Sequence, residues 1–537
     1  MRLNETPTVW DLIIIGGGIT GAGILREAIR MGLKAILFEQ KDFAWGTSSR
    51  SSKMVHGGLR YIREGRLLLT KKSVEEREHL LRQAPGLVNP LGFVLPVYAD
   101  QKFGKRSLKI GLSLYDALAG KRQHAYHGPD KIMEMLPHIK QEGLAGGFHF
   151  FDAQVDDARL VLRLIDESVA CGAIALNYTS VTDITRNAQG TATGVVVQDT
   201  ETKETKTFQS SAIINATGSW AEKLHPSPKP HLHLRPLRGS HLVFSADALP
   251  LKQGFSFMHP ADNRGISIFP WEGAVVMGTT DLDHEGDLSI EPRITKPEAL
   301  YLINGARFFF PSLNLTLKHC ISTFAGIRPV LSEGKRPPSK ESREHVVWRD
   351  RGLVTVTGGK LTTFRRLAWD ALKCARRYLP PESNINRKAP IFAAGPLEPE
   401  IDHGLSAETW RRLYGRYGAA ADTMIAAAEK QDLSSIPGTH TLWAELPYLA
   451  RHENIRHLGD LLLRRVRIGL LVPQGGKALL HRIRNICNNS LAWDDSRWDL
   501  EIQTYLDQWR HFHAVPQVDP ETMIQSTHEF QSLEKAS

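Results

Sequence analysis

A glycine-rich turn near the start of the chain has the composition and spacing of a dinucleotide-binding site. The GxGxxG pattern of residues 16–21 directly follows the apolar run 11–15, and apolar residues with helical spacing follow over 19–31. Such glycines permit a tight turn, close approach of the backbone to a pyrophosphate, and close packing of helix on strand. A second strand predicted at 35–38 ends at Glu39, whose carboxylate can accept both hydroxyls of an adenosine ribose. An acidic residue here favours FAD or NAD over NADP.

Two later segments, 211–220 and 352–363, each predict a strand that ends in a turn of small residues. Alone, each could be an ordinary strand end. Together with the first motif they indicate one large cofactor touched at three distant places, which favours FAD, because NAD is usually held by the first βαβ unit and its neighbours. A helix beginning near Leu361 would direct its positive dipole end at the flavin and stabilise negative charge on the reduced ring.

A hydroxyl-rich run, GTSSRSSK at 46–53, follows Glu39 closely. It could be a solvated loop, or it could cradle the pyrophosphate and ribityl chain of the cofactor. Its place after the second predicted strand, in a chain that already carries the glycine turn, favours the cradle.

Eight segments spread over residues 16–364 are more specific than GxGxxG. They are GGGITGAG (16–23), GTSSRSSKMVHGGLRY (46–61), VDDARLV (155–161), NATGSW (215–220), RGSH (238–241), MGTTD (277–281), GIRP (326–329) and GGKLTTF (358–364). In these segments the chain resembles the FAD-dependent, quinone-linked glycerol-3-phosphate dehydrogenase family. The resemblance implies an α/β fold: a Rossmann-like FAD-binding domain of the D-amino-acid-oxidase type, an inserted antiparallel-sheet substrate domain, and a C-terminal α-helical domain.

The same resemblance implies a reaction and a set of cofactor contacts. The reaction is oxidation of sn-glycerol 3-phosphate to dihydroxyacetone phosphate, with hydride transfer to flavin N5 and electrons passed to a membrane quinone. Two alternatives stay open: a glycerol-3-phosphate oxidase that makes hydrogen peroxide from oxygen, and an FAD oxidase of another small alcohol or amine. The expected cofactor contacts are Gly16, Gly17, Gly18, Ile19, Thr20, Gly21, Glu39, Gln40, Thr47, Ser48, Ser49, Ser52, Lys53, His56, Gly57, Gly58, Ala216, Thr217, Gly218, Trp220, Gly359, Lys360, Leu361 and Thr362.

The implied substrate, a small phosphate dianion, needs cations, and three stand beside glycine-flanked turns in the matching segments. Arginine suits phosphate because its planar fork donates two parallel hydrogen bonds. A further arginine follows a stretch, 335–340, that departs from the family pattern. The predicted substrate-binding residues are Arg60, Tyr61, Thr280, Arg328, Arg343 and Lys360.

A base must take the hydroxyl proton as hydride leaves, and a neutral imidazole can do so near pH 7. His56 lies between the polar run and Arg60, and His241 ends the RGSH segment. Both histidines, with Arg328, are predicted catalytic residues, and which histidine is the base stays open. The sequence has no Ser-His-Asp pattern and no metal-ligand spacing, so no metal is expected.

The return of a cofactor motif at 352–364, after strand-rich sequence, predicts a discontinuous cofactor-binding domain. A stretch rich in proline near 387–400 predicts a linker, and the sequence beyond it is helical in pattern. The predicted boundaries are 8–90, 151–224 and 321–390 for the FAD-binding domain, 91–150 and 225–320 for the substrate domain, and 391–537 for the C-terminal helical domain.

The composition is that of a globular protein and not of a disordered or fibrous one. The chain has 537 residues, 42% hydrophobic and 23% charged, with a net charge of +9. A positive balance favours anionic partners without selecting one. Four scattered cysteines indicate a reducing compartment, and no signal-peptide core or membrane-spanning run is expected. We therefore expect a cytoplasmic protein of the bacterial type, held peripherally on the cytoplasmic face of the inner membrane.

Two basic segments bear on partners. Residues 101–122 interleave six Lys or Arg with apolar residues, which predicts either a helix on an anionic membrane surface or a helix packed on the core. The segment LLLRRVR at 461–467 is interpreted as part of a helical cap. No single-strand binding platform is apparent, so nucleic acid is not an expected partner. Whether the chain is a monomer or a homodimer stays open.

Overall fold

The computed structural model describes residues 3–99, 104–225, 233–332, 341, 344–393 and 404–518. The strands are, in chain order, β1 Leu12–Ile15, β2 Ala35–Phe38, β3 Met54–Val55, β4 Val88–Tyr98, β5 Ala125–His127, β6 Leu144–Val155, β7 Ile174–Leu176, β8 Thr179–Arg186, β9 Ala192–Asp199, β10 Thr205–Gln209, β11 Ile213–Asn215, β12 His233–Ser245, β13 Gly254–Met258, β14 Gly265–Trp271, β15 Ala274–Gly278, β16 Leu282–Asp283, β17 Cys320–Ser332, β18 His345–Asp350 and β19 Leu353–Gly358.

The α-helices are α1 Ile19–Arg30, α2 Leu59–Arg63, α3 Leu67–Gln83, α4 Lys105–Ala119, α5 Pro129–Met135, α6 Asp157–Ala170, α7 Ala221–Leu224, α8 Lys296–Phe309, α9 Phe364–Ala375, α10 Ala407–Tyr417, α11 Ala420–Ala426, α12 Glu445–His452, α13 Leu458–Asp460, α14 Ile468–Leu471, α15 Leu480–Leu491 and α16 Asp495–Phe512. A turn of π-helix, Leu461–Arg465, joins α13 to the segment before α14.

The first sheet is mainly parallel, with the order β18-β19-β11-β1-β2-β7. Successive residues of β1 point to opposite faces. Leu12 and Ile14 pack with α1, α6 and α9, whereas Ile13 and Ile15 pack with the antiparallel meander β8–β9–β10. β1 is therefore covered on both faces, which explains why its sequence is apolar without interruption.

The second sheet is larger and mostly antiparallel, with the order β16-β12-β15-β14-β13-β4-β6-β3; β17 joins at β12 and β5 at β6. Leu242 and Phe244 of β12 face a core that includes α8, whereas Val243 faces the cluster built by α10–α16. The sheet thus separates two apolar layers, and the C-terminal helices cover one of its faces.

The strand pairing places three short segments in the large sheet that the predicted domain boundaries assign to the FAD-binding domain. β17 pairs with β12 from His233↔Ser332 to Phe244↔Cys320, and β4 pairs with β6 from Val88↔Val155 to Tyr98↔Leu144. Residues 321–332, 88–90 and 151–155, assigned from sequence to the FAD-binding domain, are therefore part of the large sheet. Composition misses this because the pairing joins segments far apart in the chain.

The spacing of apolar residues also predicts helices over about 70–90 and over 156–171, and the structure forms a helix in each region. The region 70–90 corresponds to α3, and the region 156–171 corresponds to α6, whose N-terminus is capped by Asp156 accepting from the backbone N of Arg159 at 3.2 Å. Within 101–122 the helix is α4, and residues 101–103 lie outside the described part of the chain.

Candidate active site

A cavity of about 1040 Å³ extends between the two sheets. Its lining comes from the carboxyl ends of β1, β2, β11 and β19, the polar loop before β3, and the facing strands of the large sheet. The volume is at the top of the usual range for small-molecule sites, so the cavity is large enough for a cofactor together with a small substrate.

The glycine turn after β1 leaves no room for side chains. A Cβ on Gly21 would lie 1.8 Å from the carbonyl oxygen of Gly16, and a Cβ on Gly16 would lie 2.7 Å from that of Ala216. Gly16, Gly18, Ile19 and Thr20 line the cavity, whereas Gly17 and Gly21 do not. Gly21 therefore lets α1 pack closely on β1, which is the role its place in the motif predicts.

Glu39 fits the ribose end of the cofactor. Its carboxylate accepts from the backbone N of Gly17 at 2.7 Å and from that of Lys41 at 3.0 Å, which fixes its orientation. Burial raises the pKa of Glu39, although the two backbone donors oppose this shift. Each carboxylate oxygen keeps a second lone pair, and Glu39 and Gln40 both line the cavity.

Some residues of the polar loop 46–53 line the cavity, and others are buried behind it. Thr47, Ser48 and Ser52 line the cavity, and the Ser48 hydroxyl accepts from the backbone N of Ile19 at 2.9 Å. Ser49 and Lys53 were predicted cofactor contacts, but both are buried and neither lines the cavity. The Lys53 ammonium lies 2.8 Å from an oxygen of the Asp157 carboxylate, behind the loop. A cationic side chain this deeply buried needs such a partner.

The other two cofactor segments converge on the same edge of the parallel sheet because β11 and β19 are neighbours. Near the end of β19 the Thr357 hydroxyl donates to the carbonyl oxygen of Gly218 at 2.8 Å, which joins β19 to the turn after β11. The chain then makes a short 3-10 turn, Leu361–Thr363, before α9 begins at Phe364. Every predicted contact from this edge lines the cavity: Ala216, Thr217, Gly218, Trp220, Gly359, Lys360, Leu361 and Thr362. Ser219, Thr357 and Gly358 line it as well and were not predicted.

Several predicted site residues lie around the buried ring of Tyr61. The Lys360 ammonium lies 4.6 Å from the Tyr61 ring centroid and donates to the Ser73 hydroxyl. The Arg60 guanidinium lies 5.7 Å from the same centroid and pairs with Glu64, and the His56 ring stacks at 6.5 Å. All four predicted residues line the cavity, so this end is basic.

Arg328 enters the cavity from β17 of the large sheet. Its guanidinium pairs with the Asp281 carboxylate at 2.8 Å and donates to the Thr279 hydroxyl at 3.0 Å. Thr279 and Asp281 line the cavity, but Thr280, the predicted contact, does not. The Thr280 hydroxyl instead donates to buried Glu298 at 2.8 Å. Successive residues of an extended chain face opposite sides, so Thr280 points away from its neighbours.

The two candidate bases occupy different environments. His56 lines the cavity, whereas His241 is buried, stacks on Phe324 at 4.4 Å, and does not line it. Burial, helped by Arg328 and Lys53, holds the pKa of His241 well below its ordinary value, so the ring is neutral at pH 7. Its Nε2 lies 2.8 Å from the Ser52 hydroxyl. His241 therefore reaches the cavity through Ser52.

Of the remaining predicted site residues, Gly57 stands apart from the cavity. Its backbone N donates to the Tyr115 hydroxyl at 2.9 Å. Arg343 lies outside the described residues.

Some lining residues belong to no motif. Phe93 and Phe150 come from the paired strands β4 and β6, and Asp152 lies two residues further along β6. The Asp152 carboxylate accepts from Arg77 at 2.9 Å. An alternating strand pattern could have suggested that these residues share a face, but the packing of the large sheet decides that the face is the cavity.

Among the described residues, no helix combines the length and the apolar composition needed to cross a bilayer. The described part of the chain also contains no group of three His, Cys, Asp or Glu arranged to hold a metal ion.

Comparisons with known proteins agree on the family. The model of the FAD dependent oxidoreductase family matches residues 11–365, and that of the C-terminal domain of alpha-glycerophosphate oxidase matches residues 359–498. Aerobic glycerol-3-phosphate dehydrogenase of Staphylococcus aureus is 33% identical over 490 residues, covering 87% of this chain and 88% of its own.

Solved structures show the same architecture. The glycerol-3-phosphate dehydrogenase from Bacillus halodurans, complexed with FAD, aligns with a TM-score of 0.74 at 27% identity, covering 95% of this chain and 96% of its own. L-alpha-glycerophosphate oxidase from Mycoplasma pneumoniae aligns with a TM-score of 0.56 at 20% identity, covering 71% of this chain and 98% of its own, and so shares the fold.

These matches confirm the predicted fold class and FAD as the cofactor. The cradle described above fits that cofactor on its own geometry, since glycines stand where a Cβ would collide and a fixed carboxylate stands at the ribose end. The chain therefore belongs to the FAD-dependent oxidoreductases, within the glycerol-3-phosphate dehydrogenase and oxidase family.

Proposed function

We propose that this chain oxidises sn-glycerol 3-phosphate to dihydroxyacetone phosphate and delivers the electrons to a membrane quinone. The observation that carries the proposal is one cavity that joins the cofactor cradle to three cationic side chains, Arg60, Arg328 and Lys360. Three cations suit a phosphate dianion better than an amine or a single carboxylate. FAD, bound in the cradle, supplies the two-electron acceptor.

The basic end beside Tyr61 is the proposed phosphate site. Lys360 and Arg60 flank the tyrosine ring, and Lys360 is held in place by Ser73. The Tyr61 hydroxyl can donate to a phosphate oxygen while its ring keeps the cations apart. Fixing the phosphate at one end orients the rest of a three-carbon substrate, which is how positioning lowers a reaction barrier.

Arg328 and His56 are the proposed groups at the reacting carbon. Because Asp281 and Thr279 orient the Arg328 fork, its donors can hold the substrate hydroxyl oxygen as it becomes a carbonyl. His56 is the proposed base, since it lines the cavity and can accept the hydroxyl proton when the carbon gives up hydride. His241 supports the site through Ser52, and its neutral ring keeps positive charge away from the departing proton.

A surface beside the cavity mouth supports the membrane part of the proposal. Ile110 of α4 is 70% exposed and lines the cavity, and Leu68 at the start of α3 is 74% exposed. The same helices and the adjoining α2, which pack on one another, carry the exposed basic residues Arg63, Lys71, Lys72, Lys105, Arg106 and Lys109. Apolar side chains ringed by cations are typical of a surface that rests on anionic lipid. A quinone could then reach the cavity from the bilayer, with the protein on the cytoplasmic face of the inner membrane.

The test is anaerobic mixing of the purified flavoprotein with sn-glycerol 3-phosphate while flavin absorbance is followed. We expect rapid bleaching by this substrate, and little by its sn-1 enantiomer or by glycerol, which lacks the phosphate. Lys360→Met should need a much higher substrate concentration for the same rate. A flavin-loaded protein that does not bleach would overturn the proposed substrate.

The electron acceptor is tested on the bleached enzyme. A soluble quinone should restore flavin absorbance much faster than air does. Rapid recovery in air with stoichiometric hydrogen peroxide would instead assign the oxidase reaction.

A further inference from the structure

The basic segment 461–467, interpreted from the sequence as part of a helical cap, is buried. Arg464, Arg465 and Arg467, here called the arginine triplet, are 3%, 0% and 2% exposed. Burying three guanidinium groups is unfavourable unless each is matched by carboxylates with good geometry. The carboxylates that pair with the triplet indicate its structural role.

Arg464 and Arg465 both bind Asp42, which stands three residues after Glu39. Both guanidinium groups bond one oxygen of the Asp42 carboxylate, and Arg465 reaches the other at 2.9 Å. Burial alone would raise the pKa of Asp42, but the two arginines hold it at about 2. The start of the loop that lines the cofactor cradle is therefore fixed by the C-terminal domain.

Arg467 acts on the other end of the same loop through Asp156 and Asp157. It bonds Asp156 at 2.8 Å and also bonds Asp157. The Asp157 carboxylate accepts from the backbone N of Ser51 at 2.9 Å, from the Ser51 hydroxyl at 2.7 Å, and from Lys53 at 2.8 Å. One carboxylate thus joins Arg467 to the loop residues that precede and follow Ser52.

A third attachment holds the middle of the loop. Arg50 pairs with Glu291 at 2.9 Å, and the Gln508 amide donates to Glu291 at 2.9 Å. His513, at the end of α16, lies 3.0 Å from the same carboxylate. The loop is therefore attached to the C-terminal domain at its start, middle and end, while its inner side lines the cavity.

We propose that the C-terminal helical domain is part of the FAD-binding apparatus, with the arginine triplet as positioning residues that hold loop 42–53 in its cofactor-binding shape. None of the three lines the cavity, so they act on the loop from behind, through Asp42, Asp156 and Asp157 and through a hydrogen bond from Arg467 to the Ser49 carbonyl oxygen at 3.5 Å. The proposal rests on the FAD site and not on the identity of the substrate. A flavin-loaded enzyme that ignores glycerol 3-phosphate would therefore overturn the proposed function and leave this proposal standing.

The test measures FAD affinity in full-length Arg467→Met. FAD release from the holoenzyme and FAD rebinding are followed by flavin fluorescence. We expect the dissociation constant to rise roughly 10- to 100-fold, the range found for residues that act through the direct ligands of metal sites. Arg467→Lys should recover part of the affinity, because it keeps a charge for the two aspartates.

The matched control is Arg412→Met. Arg412 is another buried arginine of the same domain, paired with Glu445 at 2.9 Å and with Glu272 at 3.3 Å, and neither carboxylate contacts the loop. We expect Arg412→Met to lower the melting temperatures of the apoprotein and the holoprotein alike, without changing FAD affinity. Arg467→Met should also reduce the stabilisation that FAD adds, since ligand stabilisation follows affinity.

Two results would overturn the proposal: parental FAD affinity in folded Arg467→Met, or an equal loss of affinity in Arg412→Met. Where Arg467→Met yields no folded protein, Arg464→Gln decides, because Asp42 keeps its pairing with Arg465. Severalfold weaker FAD binding in that variant supports the proposal, and unchanged binding rejects it.

Discussion

Within residues 279–281, neighbouring side chains have different roles. Two of them face the cavity, and the one between them bonds buried residues behind it. Thr279 and Asp281 face the cavity and orient Arg328. Thr280, between them, accepts from the backbone N of Ser240 at 2.9 Å and donates to Glu298. Glu298 is fully buried and also accepts from the Ser240 hydroxyl at 2.8 Å. The two threonines therefore serve different purposes despite their identical side chains.

Valine at the two positions should separate those purposes. Thr279→Val removes an acceptor from the Arg328 guanidinium, and we expect kcat/KM to fall roughly tenfold, since a hydrogen bond to a charged group contributes about 1.5–3 kcal/mol. Thr280→Val leaves the Glu298 carboxylate without one donor, and we expect a loss of about 1–3 kcal/mol in the free energy of unfolding. Steady-state kinetics and thermal unfolding of both variants provide the check. An inactive but fully stable Thr280→Val would contradict this assignment.

At the scale of elements, the meander β8–β9–β10 is tied to the C-terminal helices by a histidine between two carboxylates. Nε2 of His457 lies 2.9 Å from Glu201, in the turn after β9, and Nδ1 lies 3.0 Å from Glu501 of α16. Hydrogen bonds to Glu201 and Glu501 raise the pKa of His457 to about 10. The imidazolium is thus the charged form across the physiological range, and the contact between these elements depends on it.

His457→Gln should destabilise the protein more at pH 6 than at pH 10. The pKa of His457 is raised by folding, so its stabilisation is fully present below the unfolded pKa of about 6.5 and is lost as pH rises toward 10. The measurement is the difference in melting temperature from the parent across that range. Arg456→Gln is the control, because Arg456 pairs with the same Glu201 at 2.8 Å through a guanidinium in place of an imidazole. A His457 effect that does not vary with pH would contradict the prediction.

At the scale of the whole molecule, two sheets enclose the cavity and the C-terminal helices hold both. The helices cover one face of the large sheet and anchor the loop of the cofactor cradle. The opening beside α2 and α4 stays free of this covering, with exposed apolar and basic residues around it. Under the proposed function, this opening is where a lipid-soluble acceptor would reach the cavity.

Leu68→Glu should weaken binding to anionic vesicles and slow reduction of a vesicle-embedded quinone, while reduction of a soluble dye is unchanged. The added charge removes apolar contact and repels anionic lipid. Leu500→Glu is the matched control, since Leu500 is 59% exposed on α16, away from the cavity lining. Vesicle sedimentation and the two activity assays provide the check. Equal losses in both variants would reject the surface as the docking site.

The sequence by itself determined the local features of this protein. The glycine turn, Glu39 and the helix that follows Leu361 were predictable because each depends on residues close by in the chain. The turn follows a strand and has positions that only glycine can occupy, Glu39 also follows a strand, and Leu361 stands just before a helix start. The order of motifs also determined the family and, through it, the cofactor.

Only the tertiary structure decided which side chains face the cavity and which support it. His241 points away because the register of β12 with β15 and β17 sets its face. Thr280, between β15 and β16, points away because its hydroxyl bonds Ser240 and Glu298 behind the cavity. Lys53 is buried because Asp157, 104 residues further along the chain, lies behind its loop. The triplet at 464–467 is basic in sequence yet buried in the fold, since it pairs with Asp42, Asp156 and Asp157, each more than 300 residues away in the chain. Burial and pairing of this kind depend on contacts between distant segments, which local sequence patterns do not encode.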